Sequence, residues 1–178
     1  MENIFVNIVG FGLDAKIVKR ALKIKKFIFL PKKWLYLIAL FCEIFFSFEF
    51  QKITATINND SILKLKKENL IFAVANGLQY GGNFKIAPEA SFFDNKLDVC
   101  WISKTSKFRI LYNFIKVIKG KHIELKEVSF FKAKSVSISS LKEIDCQVDG
   151  EVFPSKKDYY ISLSSKKLKV RVPPFLFD

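Results

Sequence analysis

Residues Asn76 to Asp98 read NGLQYGGNFKIAPEASFFDNKLD. Three of the chain's seven glycines fall in this window, with one of its five prolines and two aspartates. Glycine costs backbone entropy and is used where the chain takes positive φ or passes close to another group, so its concentration here marks a shaped loop. The apolar run Leu70 to Ala75 (LIFAVA) leads in and Leu97 to Ile102 (LDVCWI) leads out. Both have the length and composition of buried strands. A turn-rich, carboxylate-bearing segment held between two strands is how a scaffold presents a site.

The flanking sequence supplies more strands. On the N-terminal side QKITATIN sets Ile53, Ala55 and Ile57 on one face, turns at Asn58-Asn59-Asp60, and alternates again in SILKLKK, which predicts a hairpin. On the C-terminal side come VSFFKAKSVSIS, then EIDCQVDGE with Ile144, Cys146 and Val148 facing one way. DYYISL (Tyr159, Ile161, Leu163) and LKVRV (Leu168, Val170, Val172) follow, and Pro173-Pro174 ends the series. Closely spaced alternating strands with polar turns predict a mainly β, antiparallel β-sandwich or barrel.

Two or three helices interrupt this pattern. Thr105 to Lys119 places Phe108, Ile110, Leu111, Phe114, Ile115, Val117 and Ile118 at helical spacing, and Gly120 is its stop. Pro31 opens a second helix, Lys32 to about Phe48, apolar nearly all round and so suited to lie between layers or against lipid. Within it Trp34 to Phe50 is short for a membrane span and carries Glu43 and Glu49, which favours a buried or interfacial helix. Phe5 to Val9, Gly10-Phe11-Gly12-Leu13-Asp14-Ala15 and a basic amphipathic stretch form a strand, a G-x-G-x-x-A turn and a helix. A dinucleotide fold needs an acid at the end of the next strand, about 20 residues on. KKFIFLPKKWLYL has none, and the reading fails there.

At 178 residues and half hydrophobic, with 20 phenylalanines, the chain has a core's worth of apolar side chains for one domain. The formal charge of +13 comes almost wholly from lysine, with arginine only at 20, 109 and 171. Base and phosphate recognition leans on arginine forks, so nucleic acid is disfavoured; a solvated lysine surface or a peripheral contact with an anionic membrane fits better. Cys42, Cys100 and Cys146 are odd in number and far apart, with one histidine in the chain. That argues against zinc or a disulfide framework and for a reducing, cytoplasmic setting. The N-terminus lacks the basic n-region of a signal peptide.

No Walker loop, H-E-x-x-H or G-x-S-x-G is present, and His122 reads as a surface residue after a helix. Two carboxylate clusters remain. Asp94-Asn95, with Asp98 close behind, reads as an Asx-turn or as the anchor of a hard cation held by carboxylate and carbonyl oxygens. Asp149-Gly150-Glu151 reads as a hairpin turn or as a general base, Glu151, displayed at a strand end.

Four blocks, in order, resemble the soluble bacterial diacylglycerol kinase family, relatives of sphingosine and ceramide kinases and more distantly of NAD kinases. NIVGFGLDAKIV is similar to its N-x-x-G-x-G-x-D-A segment, and the helix after Pro31 to its lysine-tyrosine-leucine helix. NGLQYGGNFKIAPEASFFDNKLDV is similar to N-G-x-x-Y-G-G-G-x-x-x-A-P-x-A-x-x-x-D-G-x-L-D-V, and DCQVDGE to the terminal D-G-E. Asn83 and Asn95 stand where the family has glycine, and asparagine is the residue best able to take those backbone angles. The resemblance implies that residues 1–178 are the C-terminal, lipid-substrate β-sandwich domain of a two-domain kinase. It implies Glu151 as the base on a diacylglycerol-like hydroxyl. It also implies a structural Mg²⁺ held by the Asp94 side chain and the backbone oxygens of Ser91 and Lys96.

The family's ATP-binding G-G-D-G-T loop is not in this sequence. The expectation is therefore a chain inactive alone, with ATP as co-substrate only alongside a separate nucleotide-binding domain. The alternative is a non-catalytic lipid- or membrane-surface module or a truncated remnant, and a homo-oligomer is expected if an uncovered domain face self-associates.

Overall fold

Seven strands form one antiparallel sheet, and its two long strands set the plan. The computed structural model describes residues 3–47, 49–58, 60–79, 84–166 and 168–169, with the backbone alone at residues 32, 33 and 60–67. The strands are β1 (Ile8–Gly12), β2 (Gln51–Ile57), β3 (Asp60–Ala75), β4 (Leu97–Ser103), β5 (Val128–Ala133), β6 (Ser135–Val148) and β7 (Glu151–Ser162). The helices are α1 (Leu13–Lys25), α2 (Lys32–Cys42) and α3 (Lys107–Ile118).

Long β3 and long β6 flank a slot that β2 and β1 fill end to end. β2 pairs with the first half of each, and β1 pairs with Ile71–Ala75 of β3 and Cys146–Val148 of β6. β4 and then β5 extend the sheet beyond β3, and β7 lies outside β6. β5 and β6 are thus four strand spacings apart, roughly 19 Å in a flat sheet. Yet Lys134 alone joins them, and two residues reach only about 7 Å. The sheet must therefore fold over on itself, as a sandwich. Asn58, at positive φ after β2, pins the junction: its Oδ1 accepts from Lys134 N (2.6 Å), and its own N–H donates to Ser135 O (2.8 Å).

The fold-over encloses an inner core to which all seven strands contribute. Across it runs a row of rings, Tyr159–Phe11–Phe72–Trp101, with centroids 4.9, 6.3 and 5.0 Å apart. Phe11 and Phe72 face each other in the β1–β3 register, and Phe72 and Trp101 in the β3–β4 register, so strand pairing sets these three, while Tyr159 of β7 reaches Phe11 edge-on. The alternate side chains of β3 and β4 (Ala73, Ala75, Cys100, Ile102) point to the opposite face, joined by Leu70 at the irregularity between Asn69 and Ile71. There they pack under Leu13 of α1, Leu40 of α2 and Ile110 of α3, forming a second, sheet-on-helix core.

The β2–β3 hairpin and the sequence-based strands between Gln51 and Leu163 are present, and Ile53, Ala55 and Ile57 are buried as expected. The first strand is Ile8–Gly12 rather than Phe5 to Val9, so Gly10 and Gly12 lie in β1 and not in a turn, and α1 starts at once at Leu13. Other expectations need correction. The helix from Lys32 ends as regular α at Cys42 and continues as a π-helical turn over Glu43–Ser47. Arg20 of α1 grips both ends of that turn, through the Glu43 carboxylate and Ser47 Oγ. β6 runs unbroken through SSLKE, where no alternation marks a strand, because bulges in its pairing with β7 absorb the misfit. Leu168 and Lys169 show no strand; Val170, Val172 and Pro173-Pro174 lie outside the described residues, as does Asn59 of the turn. Among the described residues no helix is long and apolar enough to cross a membrane.

His122 is also corrected: it is fully buried rather than on the surface. Gly120, at φ 71°, ends α3 and turns the chain inward, so the ring packs on Phe130 and Nε2 donates to Ile86 O of the central loop (3.1 Å). Burial holds its pKa below the ordinary 6.5, more than offsetting that hydrogen bond. The folded protein thus keeps the ring neutral where the unfolded chain takes up a proton. Stability from this group is full above about pH 6.5 and is lost as pH falls toward the depressed folded value. Urea unfolding between neutral pH and pH ~5 is expected to show declining stability in the native protein and a flatter profile in His122→Gln; equal slopes would contradict this.

Candidate functional site

The Asp149-Gly150 turn between β6 and β7 has both residues at positive φ (49° and 89°), the geometry of a tight hairpin. Its aspartate does more than turn the chain. Asp149 Oδ2 accepts from Val6 N (2.7 Å), and Oδ1 accepts from Asn7 N (3.0 Å) and Ile8 N (2.8 Å). The segment so held grips the central loop in turn. Asn7 O accepts from the N–H groups of Asn76 (2.8 Å) and Gly77 (3.2 Å), and Asn7 Nδ2 donates to Gln79 O (2.8 Å). A Cβ at Gly77 would collide with Asn7 Oδ1 and the Phe92 ring, which is the physical demand behind the Asn-Gly pair.

The strand register puts these pieces at one end of the sheet. Val148 lies opposite Val9, Ile8 opposite Ala75, Ala75 opposite Asp98, and Asp98 opposite Lys132. Glu151, exposed, opens β7 opposite Val148. Three strand spacings, about 14 Å, separate Val148 from Asp98. Glu151 and Asp94 thus share an end of the sheet, and no hydrogen bond or ion pair joins them among the described residues.

Asp14 and Gln147 are functional candidates that sequence reasoning passed over. Both are buried, and Gln147 Nε2 donates to Asp14 Oδ2 (2.8 Å) while its Oε1 accepts from Gly150 N (2.8 Å). A polar relay therefore runs from α1 to the residue preceding Glu151. Gly10 makes room for it, since a Cβ there would coincide with Asp14 Oδ2. Gly12, at φ 78°, starts α1 where any Cβ would meet Leu70 O. The glycine spacing before Asp14 is the legible trace of this close approach.

Asp14 also faces a cavity roofed by α1, α2 and α3 over the outer face of β3 and β4. Its volume is about 90 Å³. Ile17, Leu40, Leu70, Ile110 and Phe114 make its walls apolar. Tyr36 lines it near Asp14, and its pKa is raised first by burial and then by the Asp14 charge. Arg109 and Glu127, 2.7 Å apart, pair at another part of the lining.

At the loop's far end Asp94 makes the Asx-turn that its sequence suggests, accepting from Lys96 N (3.0 Å), and Asn95 takes φ 53°. Ser91 Oγ accepts from Phe93 N (3.2 Å). Ser91, Asp94 and Lys96 thus share one tight turn. A cation is already there: Lys132 Nζ lies 2.9 Å from Asp94 Oδ2, 2.9 Å from Asp98 and 3.3 Å from Glu89 O. Hydrogen bonding from Lys132 holds the exposed Asp94 below the ordinary carboxylate value. Asp98 is raised, because burial outweighs the same partner. Burial also pulls on Lys132, but its bonds to Asp98 and Asp94 prevail and raise it. A Mg²⁺ on Asp94 would have to displace this ammonium or sit against it, a repulsion of several kcal/mol. This donor set does not fit the implied metal. Tyr80 to Asn83, the run with asparagine in place of glycine, lies outside the described residues.

A family model described as the YegS C-terminal NAD kinase beta sandwich-like domain matches residues 7–170. Among curated proteins, the chain is 24% identical over 149 residues to YtlR of Bacillus subtilis, named as a candidate lipid kinase, covering 83% of this chain and 48% of that one. It is 36% identical over 76 residues to a diacylglycerol kinase of Mycobacterium tuberculosis, covering 43% of this chain and 24% of that one. The chain spans about half, or less, of the length of these relatives. A crystal structure of a candidate diacylglycerol kinase from Bacillus anthracis aligns with a TM-score of 0.62 at 23% identity, over 89% of this chain and 50% of that one, a likeness of fold. With the family match running from the start of β1 to beyond β7, the chain belongs to the YegS C-terminal NAD kinase beta sandwich-like domain of the diacylglycerol kinase family.

Proposed function

We propose that this chain is the lipid-substrate half of a lipid kinase, holding a diacylglycerol-like alcohol for phosphorylation by ATP carried on a nucleotide-binding domain. The observation behind this reading is the apolar cavity whose polar rim, Asp14, leads through Gln147 to the Glu151 turn. An acyl chain loses water in the cavity, at about 0.8 kcal/mol per buried CH₂, while its hydroxyl stays at the polar rim. Glu151 accepts the hydroxyl proton as that oxygen bonds to the γ-phosphorus; the bond to the β–γ bridging oxygen breaks and ADP leaves. Phosphoryl transfer asks little covalent help of the protein beyond such positioning and proton acceptance.

Exposed aromatics beside the cavity's roof favour direct access from a bilayer. The α1–α2 connection carries Phe27 and Phe29, 88% and 105% exposed, and Trp34 on α2 is 58% exposed. Lys23, Lys25 and Lys26 stand next to them, also exposed. Burying one such ring contributes about 1.5–3 kcal/mol, and each nearby lysine adds about 1 kcal/mol at an anionic surface. In this reading the connection dips into the interface, and the lipid passes under α1 and α2 without crossing water.

Three outcomes test the proposal. In a mixture of this chain, a relative's nucleotide-binding domain, Mg-ATP and diacylglycerol vesicles, Glu151→Gln is expected to lower phosphate transfer by about 10²- to 10⁴-fold at unchanged stability; full activity in the variant would remove Glu151 as the base. Asp149→Ala is expected to cost about 2–3 kcal/mol in urea unfolding through its three lost amide bonds, and a neutral result would contradict the clasp. Co-sedimentation with anionic vesicles at low salt should fall at least tenfold in a Phe27→Ser, Phe29→Ser double variant. Equal binding by both proteins would place the membrane contact elsewhere.

A further inference from the structure

We propose that Lys132 supplies the cation that ties down the Asp94 loop, so that this chain needs no divalent metal there. Its Nζ meets Asp94 Oδ2, Asp98 and Glu89 O, which joins three points of the segment leading into β4. An ammonium has three protons, and three separate acceptor groups surround this one. Asp94's other oxygen is taken by Lys96 N, so no carboxylate oxygen of that turn is left without a hydrogen bond.

The lysine is placed by secondary structure rather than by chance side-chain reach. Lys132 of β5 is the register partner of Asp98 of β4, so sheet pairing fixes where its stem begins. The side chains of Asp98 and Lys132 are 7% and 37% exposed, so the pair straddles the edge of the core. Such a position strengthens the attraction relative to a pair free in water. A hard dication such as Mg²⁺ requires six oxygens in near-octahedral array and gives up its waters reluctantly. An ammonium asks only for acceptors at hydrogen-bond distance, which is what this turn offers.

Thermal melting of the whole chain, without lipid or nucleotide, tests this independently of the kinase reading. The native protein is expected to melt at the same temperature in excess EDTA and in millimolar Mg²⁺ at matched ionic strength. A rise with Mg²⁺ beyond the ionic-strength control would overturn the proposal. Lys132→Met, which keeps the stem and removes the charge, is expected to melt roughly 5 °C lower in EDTA. Recovery of that variant by Mg²⁺ would support a shared place for metal and ammonium, whereas a variant as stable as the native chain in EDTA would overturn it. If the variant does not fold, the comparison on the native protein decides.

Discussion

The Asp149 carboxylate is the constraint on which the site depends. Its two oxygens collect three successive backbone N–H groups, from Val6, Asn7 and Ile8, at the entry to β1. Val6 and Asn7 lie ahead of β1, outside its strand pairing, and the carboxylate supplies the acceptors that a neighbouring strand would otherwise give. Satisfying these amides from the β6–β7 turn fixes that turn against β1. Asn7 then fixes the Asn76–Gln79 end of the central loop. Glu151 inherits its position from an aspartate two residues earlier. The D-G-E triplet therefore divides its labour, with architecture in the first residue, the turn in the second and the proposed chemistry in the third.

The folded-over sheet leaves the outer face of β3 and β4 to be covered by helices. Strand side chains alternate, so the row of rings from Tyr159 to Trp101 fills the inner core while the opposite face of β3 and β4 carries smaller, non-aromatic residues, Leu70, Ala73, Ala75, Cys100 and Ile102. Leu70 and Ile71 of β3, Ile102 of β4 and Val128 of β5 form the sheet side of the space left under the helices. The cavity beneath α1, α2 and α3 lies in that layer. Glycine at 10 and 12 keeps its polar corner open, by letting the Asp14–Gln147 bond pass and α1 begin at once after β1.

Much of this was legible in residue order, and the remainder has a common cause. Period-two alternation marked β2 and β7, and the Asp-Gly and Asp-Asn pairs marked turns whose backbone angles are those expected. The Asp94 turn closes within two residues, so local chemistry announced it. The partner of that aspartate is Lys132, 38 residues away, and only the pairing of β4 with β5 brings them together. His122 misled for the same reason: its burial depends on Ile86 and Phe130, which the sequence leaves remote. Asp14 looked like one residue of a glycine-rich turn until strand pairing set Gln147 opposite Gly10. The family resemblance carried the assignment of the domain, while the ammonium at Asp94 is a property of this chain that no motif displays.

The central claim is that an acyl chain lies in the cavity between the helices and the sheet, with its alcohol at the Asp14–Gln147–Glu151 edge. Photo-crosslinking with a diacylglycerol bearing a diazirine at the acyl terminus, read by peptide mass spectrometry, tests this most directly. The account predicts labels on cavity-wall residues such as Ile17, Ile110 and Phe114, displaced by unlabelled diacylglycerol. Labels confined to the exposed Phe27–Phe29 connection, or undiminished by competitor, would contradict it and leave only a surface that touches membranes.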